Sequence, residues 1–155
     1  MAGREHVQAL MREIGPQSGL LEVTEFAELD AWTLVVDEAT VLFADYDDSG
    51  PRLMLSAEVG EPAEAARLRL YELMLRYNDA WRETGGGRMA LDPTGGVVLG
   101  LELPVEGLEL AHLQAVIGGF VEVLRGWRDI VMKARGDETV TVPPEVMMPA
   151  GVIRG

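Results

Sequence analysis

The sequence predicts an α+β domain with the element order α-β-β-β-α-β-β-α, an antiparallel sheet packed by helices. Three observations predict it. Apolar residues recur at three- and four-residue spacing in three separate stretches, the period of a helix face. Between them lie alternating, β-rich runs joined by short turn signals, which favours antiparallel pairing. Strands and helices fall in runs rather than in strict βαβ alternation, which argues against a parallel sheet. A chain of 155 residues, 48% of them hydrophobic, is enough for one folded domain.

The elements follow in order. Residues 4–14 form a helix on the spacing of Val7, Leu10, Met11 and Ile14, stopped by Gly15-Pro16. Residues 17–30 are polar and acidic, with Leu20, Leu21, Val23, Phe26 and Leu29 scattered among them, and read as a connector with one turn of helix. Three strands come next, at 31–36, 40–44 and 52–59, the last on the alternation of Leu53, Leu55, Ala57 and Val59. Asp47-Asp48-Ser49-Gly50-Pro51 makes the turn before it. Pro62 opens a helix over 63–81, a residue favoured in the first turn. Leu70, Leu73, Met74, Tyr77 and Trp81 form one stripe of this helix, and Leu68, Tyr71 and Leu75 form a second. The apolar arc is too wide for one buried face. Residues 89–91 and 97–103 are strands on either side of an Asp92-Pro-Thr-Gly-Gly96 turn. A long helix fills 108–134, and the adjacent Gly118 and Gly119 each cost it about 1 kcal/mol against alanine, which a close approach to a neighbouring element explains. Residues 1–135 are thus one domain. Residues 136–155, with Pro143, Pro144 and Pro149, are an apolar tail without period. Val140, Val142, Met147, Met148 and Ile153 suit it to docking on its own or a partner subunit, or to competing with a bound segment for apolar surface; a disordered end is the alternative.

Charge narrows the function. Against 26 Asp and Glu stand 13 Lys and Arg, a net charge of −13, so phosphate-rich nucleic acid is a poor partner. Residues 22–64 hold twelve of the acids and one base, Arg52; this is read as a solvated sheet region, with steering of a basic partner as the alternative. Cysteine is absent, which excludes disulfides, thiolate metal sites and a cysteine nucleophile. No apolar run is long enough to span a membrane, and no cleavable secretion signal is expected at Met1.

Catalytic patterns fail on inspection. His6 and His112 stand on different helices with no metal-binding spacing. No serine lies in a G-x-S-x-G motif. Gly85-Gly-Gly-Arg-Met-Ala90 matches a dinucleotide fingerprint by letter only, because a helix precedes it and a strand follows, the reverse of what a pyrophosphate needs. Asp45-Tyr-Asp-Asp-Ser-Gly50 opens like a calcium loop, but Ser56 stands where a bidentate Glu belongs, so it reads as a turn. An enzyme built on Asp45 and Asp47 has no base, nucleophile or metal cluster beside them. No catalytic residue, cofactor or metal is expected.

What remains is an excess of apolar surface. Val35 opposes Trp32, Leu34 and Val36 across one strand, Val41 and Phe43 oppose Leu42 and Ala44 across the next, and Val98 opposes Val97 and Leu99. A sheet with one wet face alternates more cleanly. Either helices cover both faces, or apolar surface is left for a partner.

The run Leu73-Met-Leu-Arg-Tyr-Asn78, then Thr84-Gly-Gly-Gly-Arg-Met-Ala-Leu-Asp92-Pro93, then residues 97–104, then Phe120-Val-Glu-Val-Leu-Arg-Gly-Trp127-Arg128 resembles the class I type III secretion chaperones, the Tir-chaperone (CesT-like) family, over residues 4–133. That family shows a helix ending in Leu-Leu-x-x-Asn, a Gly-Gly turn, a Leu-x-Leu-Asp strand, and a last helix with Phe-Val and Trp. The resemblance implies a cytoplasmic homodimer of a Gram-negative bacterium, without enzymatic activity. It would hold the N-terminal segment of a secreted effector extended and soluble and present it to the export apparatus, whose ATPase is a further partner. A regulatory or sensory protein of the same fold is the alternative. On this reading Leu70, Leu73, Met74, Tyr77, Trp81, Met89 and Leu91 make the dimer interface, because one helix packing on its own copy satisfies a two-fold axis. Val7, Leu10, Met11, Ile14, Leu34, Val36 and Leu42 make the client groove.

Overall fold

A computed structural model describes residues 2–134. The elements are α1 (Ala2–Ser18), β1 (Glu22–Phe26), a 3-10 turn (Ala27–Leu29), β2 (Ala31–Asp37), β3 (Thr40–Asp47), β4 (Arg52–Gly60), a second 3-10 turn (Glu64–Ala66), α2 (Arg67–Asp79), β5 (Arg88–Leu91), β6 (Val97–Pro104) and α3 (Leu110–Lys133). The six strands form one sheet in the order β1-β2-β3-β4-β6-β5, every neighbour antiparallel. The α+β class and the antiparallel meander hold.

Four local expectations are corrected. Gly15-Pro16 does not stop α1. The helix runs on to Ser18 and stops at Gly19, whose φ of 67° and the Leu20 N–H donating to Gly15 C=O at 3.2 Å close a Schellman-type end. The connector contains a strand, β1. Its residues do not alternate, so only pairing with β2, Val23 opposite Leu34 and Glu25 opposite Trp32, reveals it. The expected single turn of helix is also there, at Ala27–Leu29. The middle helix is shorter than expected: its first turn is 3-10 and it ends at Asp79. Gly118 is not a close-approach glycine, since a Cβ built there meets nothing within 4 Å.

Register decides which residues share a face. Trp32, Ala44, Leu55 and Leu101 lie in one row across four strands, and all are buried. Leu34, Leu42, Leu53, Leu99, Leu103 and Met89 belong to the same face and are buried too. Against it pack α3 on β4, α2 on β5, and α1 on α3 and β1. The three helices and this one sheet face make a single core. Coverage of both faces is therefore not what the chain does.

Polar ties fix the helices. Asn78, at the end of α2, donates through Nδ2 to Met89 C=O at 2.9 Å and accepts from Met89 N–H at 2.7 Å, so its amide extends the β5 ladder by one partner. Arg128 on α3 donates to Glu58 C=O, Ala39 C=O and Thr40 Oγ1, joining the ends of β3 and β4. Tyr77 meets the fully buried Trp127 edge-on, with ring centroids 5.2 Å apart, and burial pushes the Tyr77 hydroxyl up to about 12. His6, expected to be solvated, donates through Nε2 to Leu108 C=O at 2.6 Å.

Three stability outcomes follow. Gly118→Ala should raise stability by about 1 kcal/mol, read from urea midpoints at unchanged slope, because the site is helical and open. Asn78→Ala should cost about 1–3 kcal/mol, since it strands a partly buried N–H and C=O of Met89. Asp92 accepts from Thr94 Oγ1, Thr94 N–H and Gly96 N–H, which holds its carboxyl below the ordinary 3.8. A depressed folded value means stability that is complete above pH 3.8 and lost as pH falls through the folded value. Asp92→Asn should flatten that acid limb in urea titrations from pH 5 to pH 2.5, a window of about two units around 3.8.

Candidate functional site

Since all three helices sit on one face, the outer face of the sheet is open. It presents Val35 paired with Val41, and beside them Phe43, 42% exposed, with Met54 and Val98 half-buried on neighbouring strands. Salt bridges frame it, Arg52 with Asp47 and Glu102 at 2.8 and 2.9 Å, and Arg125 with Asp37 at 2.8 Å. The Ser49 hydroxyl, Arg52 and the Ser49 N–H hold the Asp47 carboxyl below its ordinary value, and the Arg125 guanidinium does the same to Asp37. These charges are neutralised in pairs, as solvated faces are.

At the β1 end of the sheet an open groove of about 480 Å³ lies between α1 and β1. Met11, Gly15, Leu20, Val23 and Trp32 make its apolar floor, and Arg12, Glu22 and Glu25 its polar rim. The groove adjoins the edge of β1, which among the described residues has no neighbour on its outer side. Leu21, Phe26 and Leu29 stand exposed along this edge, Leu21 at 65%. Arg4 ties the edge down, pairing with Asp30 and donating to Ala27 C=O at 3.2 Å. A free strand edge beside an apolar groove can accept an extended peptide through main-chain hydrogen bonds, with the groove taking alternate side chains.

The opposite edge of the sheet is β5, with α2 packed on its inner face. The outward stripe of α2 is apolar, with Leu68 at 83% and Leu75 at 70% exposure and Tyr71 half-buried between them. Trp81 and Leu91, both 45% exposed, lie near it at the end of α2 and on β5. Arg82 stacks over the Trp81 ring at 4.7 Å.

The residues singled out from the sequence fall differently. Val7, Leu10, Met11, Ile14, Leu34 and Leu42 are all buried, and Val36 is half-buried. Only Met11 of these reaches the α1–β1 groove. Of the seven assigned to a dimer interface, Leu70, Leu73, Met74, Tyr77 and Met89 lie in the protomer's own core, while Trp81 and Leu91 face outward. The reason is shared: the strongest stripe of an amphipathic helix serves its own sheet first. What remains for a partner is the second stripe of α2 and the strand hidden in the acidic connector. That strand carried no signal of its own, since Glu22–Phe26 does not alternate. Among the described residues no group of three or more His, Asp and Glu side chains could hold a metal ion, and no helix is long and apolar enough to cross a membrane.

Comparison with known proteins gives a family and a fold. The family model described as Tir chaperone protein (CesT) family matches residues 9–128. A search of curated proteins finds no match. Among solved structures, the chain is similar to one in the HopA1–SchA chaperone–effector complex (18% identity, TM-score 0.67, covering 83% of this chain and 98% of that one). It is similar to one in the ExsC–ExsE complex (20%, TM-score 0.70, 82% and 94%). It is also similar to one in the complex of the Yersinia pestis type III secretion chaperone SycH with a stable fragment of YscM2 (23%, TM-score 0.60, 76% and 95%). At these identities the likeness shows the fold.

The two stripes of α2 are separable by experiment. Leu75→Asp should change stability by no more than about 0.5 kcal/mol in the monomeric chain, whereas Leu73→Asp places a charge in the core and should abolish the cooperative thermal transition.

Proposed function

We infer that this chain, which belongs to the Tir chaperone protein (CesT) family, is a type III secretion chaperone that binds the N-terminal segment of a secreted effector and holds it extended for export. One observation carries the reading beyond family membership. A free strand edge at β1 stands beside an open apolar groove, the arrangement an extended segment needs. The structures it resembles support this, since they hold a chaperone with an effector, ExsC with ExsE, and SycH with a fragment of YscM2. The α1–β1 groove and Leu21, Phe26 and Leu29 form the client surface. The buried α1 face, expected as the groove itself, acts as the support beneath it. The chain works by binding and not by catalysis, and its place of action is the cytoplasm, where an effector is met before export. Residues 1–135 form the family domain.

The same reading includes a two-fold homodimer. Its contact is the outer stripe of α2, Leu68, Tyr71 and Leu75, together with Trp81, Leu91 and the free edge of β5. A helix stripe packed on its own copy is self-complementary, and exposed leucines at 83% and 70% gain most from being covered. Delivery to the export ATPase follows from the same role.

Two experiments test these statements separately. Co-expression with the N-terminal segment of an effector encoded beside this chain should yield a co-purifying complex. Leu21→Asp with Phe26→Asp should lower its affinity by about tenfold or more, with circular dichroism unchanged. A complex that tolerates both changes removes the client from this edge. Light scattering should report a dimer of the 16.9 kDa chain, and Leu68→Asp with Leu75→Asp should convert it to a folded monomer. A dimer that persists in that variant places the interface elsewhere.

A further inference from the structure

A second groove opens where α3 ends, and it shares no lining residue with the α1–β1 groove. It has a volume of about 560 Å³, within the ~300–1,000 Å³ typical of sites that enclose a ligand. Val59, Pro62 and Ala63 line one wall, and Val131, Met132 and Ala134 the other. We propose that this groove is the seat of the chain's own C-terminal segment, residues 140–148, bound in the same protomer.

The place where the chain leaves is the first reason. Ala134 lines the groove, is 1% exposed, and is extended, with φ −72° and ψ 119°. The last described residue therefore lies in the wall of the groove, and whatever follows it in sequence is tethered there.

The chemistry of the walls is the second reason. Arg128 is the one cation among the lining residues, and its guanidinium is committed to Glu58 C=O at 3.0 Å, Ala39 C=O at 3.2 Å and Thr40 Oγ1 at 3.0 Å. Glu61 stands exposed at the rim. The strand beneath, β4, is paired with β6 as far as Gly60, its β3 pairing ends at Ser56, and Arg128 already takes the Glu58 C=O beyond that point, so little ladder is left to a peptide. An occupant must bind by burying apolar side chains and needs few N–H groups. Met132, 63% exposed at the last turn of α3, is a flexible apolar side chain waiting to be covered.

The sequence of the segment is the third reason. Arg135-Gly-Asp-Glu-Thr139 is polar and contains a glycine, which suits a reversal; five residues reach about 17 Å, enough to turn back. Val140-Thr-Val-Pro-Pro-Glu-Val-Met-Met148 then supplies valine and methionine side chains on a backbone that its prolines hold extended and deprive of donors. Closing so short a loop costs little entropy, which favours the chain's own segment over one arriving from solution. The inference does not depend on the client reading, because the groove lies apart from β1 and its edge.

Methionine oxidation by dilute hydrogen peroxide on the full chain, followed by mass spectrometry, tests it. Met147 and Met148 should oxidise about tenfold or more slowly than in an unstructured peptide, equally at low and high protein concentration. Met132→Asp and Ala63→Arg should each return them to the unprotected rate while the buried Met11 and Met74 stay protected. Oxidation at the unstructured rate in the unaltered chain overturns the proposal. Protection that grows with concentration overturns it in favour of a second copy. Protection that survives both substitutions overturns it in favour of another site on the chain.

Discussion

All three helices bury their apolar stripes on the same face of the six-stranded sheet, and the rest of the structure depends on that one-sided packing. Trp127, wholly buried on α3 and edge-on to Tyr77 of α2, joins the helix packed on β4 to the helix packed on β5. Arg128, the next residue, ties the same helix to the ends of β3 and β4 through backbone carbonyls. With the helices locked there, no described element covers the outer sheet face, the β1 edge or the second stripe of α2. The surfaces available to partners are by-products of where the core had to be.

This explains why the strongest apolar patterns did not mark the binding surfaces. Val7, Leu10, Met11 and Ile14 form a well-defined stripe because they must reach the core, and they do. A surface that meets a partner only part of the time must also tolerate water, so its pattern is weaker and mixed with charge. Leu21, Val23 and Phe26 sit among Glu22, Glu25 and Glu28, and Leu68 and Leu75 among arginines and glutamates. The same acids keep the free β1 edge from pairing indiscriminately.

The two sheet edges divide the work in the proposed chaperone. The β1 edge, with its groove against α1, is the proposed client side, and the β5 edge, with the outer stripe of α2, the proposed contact with a second copy. Separation by four intervening strands lets a dimer form without covering either client edge. The groove at the end of α3 lies on neither edge, which suits it to the chain's own terminal segment.

Much of this was legible in the residues themselves. Helical spacing marked α2 and α3 to within a few residues, and short turns between alternating runs dictated an antiparallel sheet, because these signals are local. The quartet Asn78, Asp92, Trp127 and Arg128 could be read as a family resemblance; Asn78, Trp127 and Arg128 each prove to hold a tie between elements, and Asp92 closes the turn before β6. Other features were settled only in three dimensions. An edge strand such as β1 has no period of its own and exists through its partner. The stop at Gly19 rather than Gly15 depends on a backbone closure that no dipeptide rule anticipates. Which face of the sheet the helices would choose, and hence which apolar residues stay outside, follows from register and packing between segments far apart in the chain.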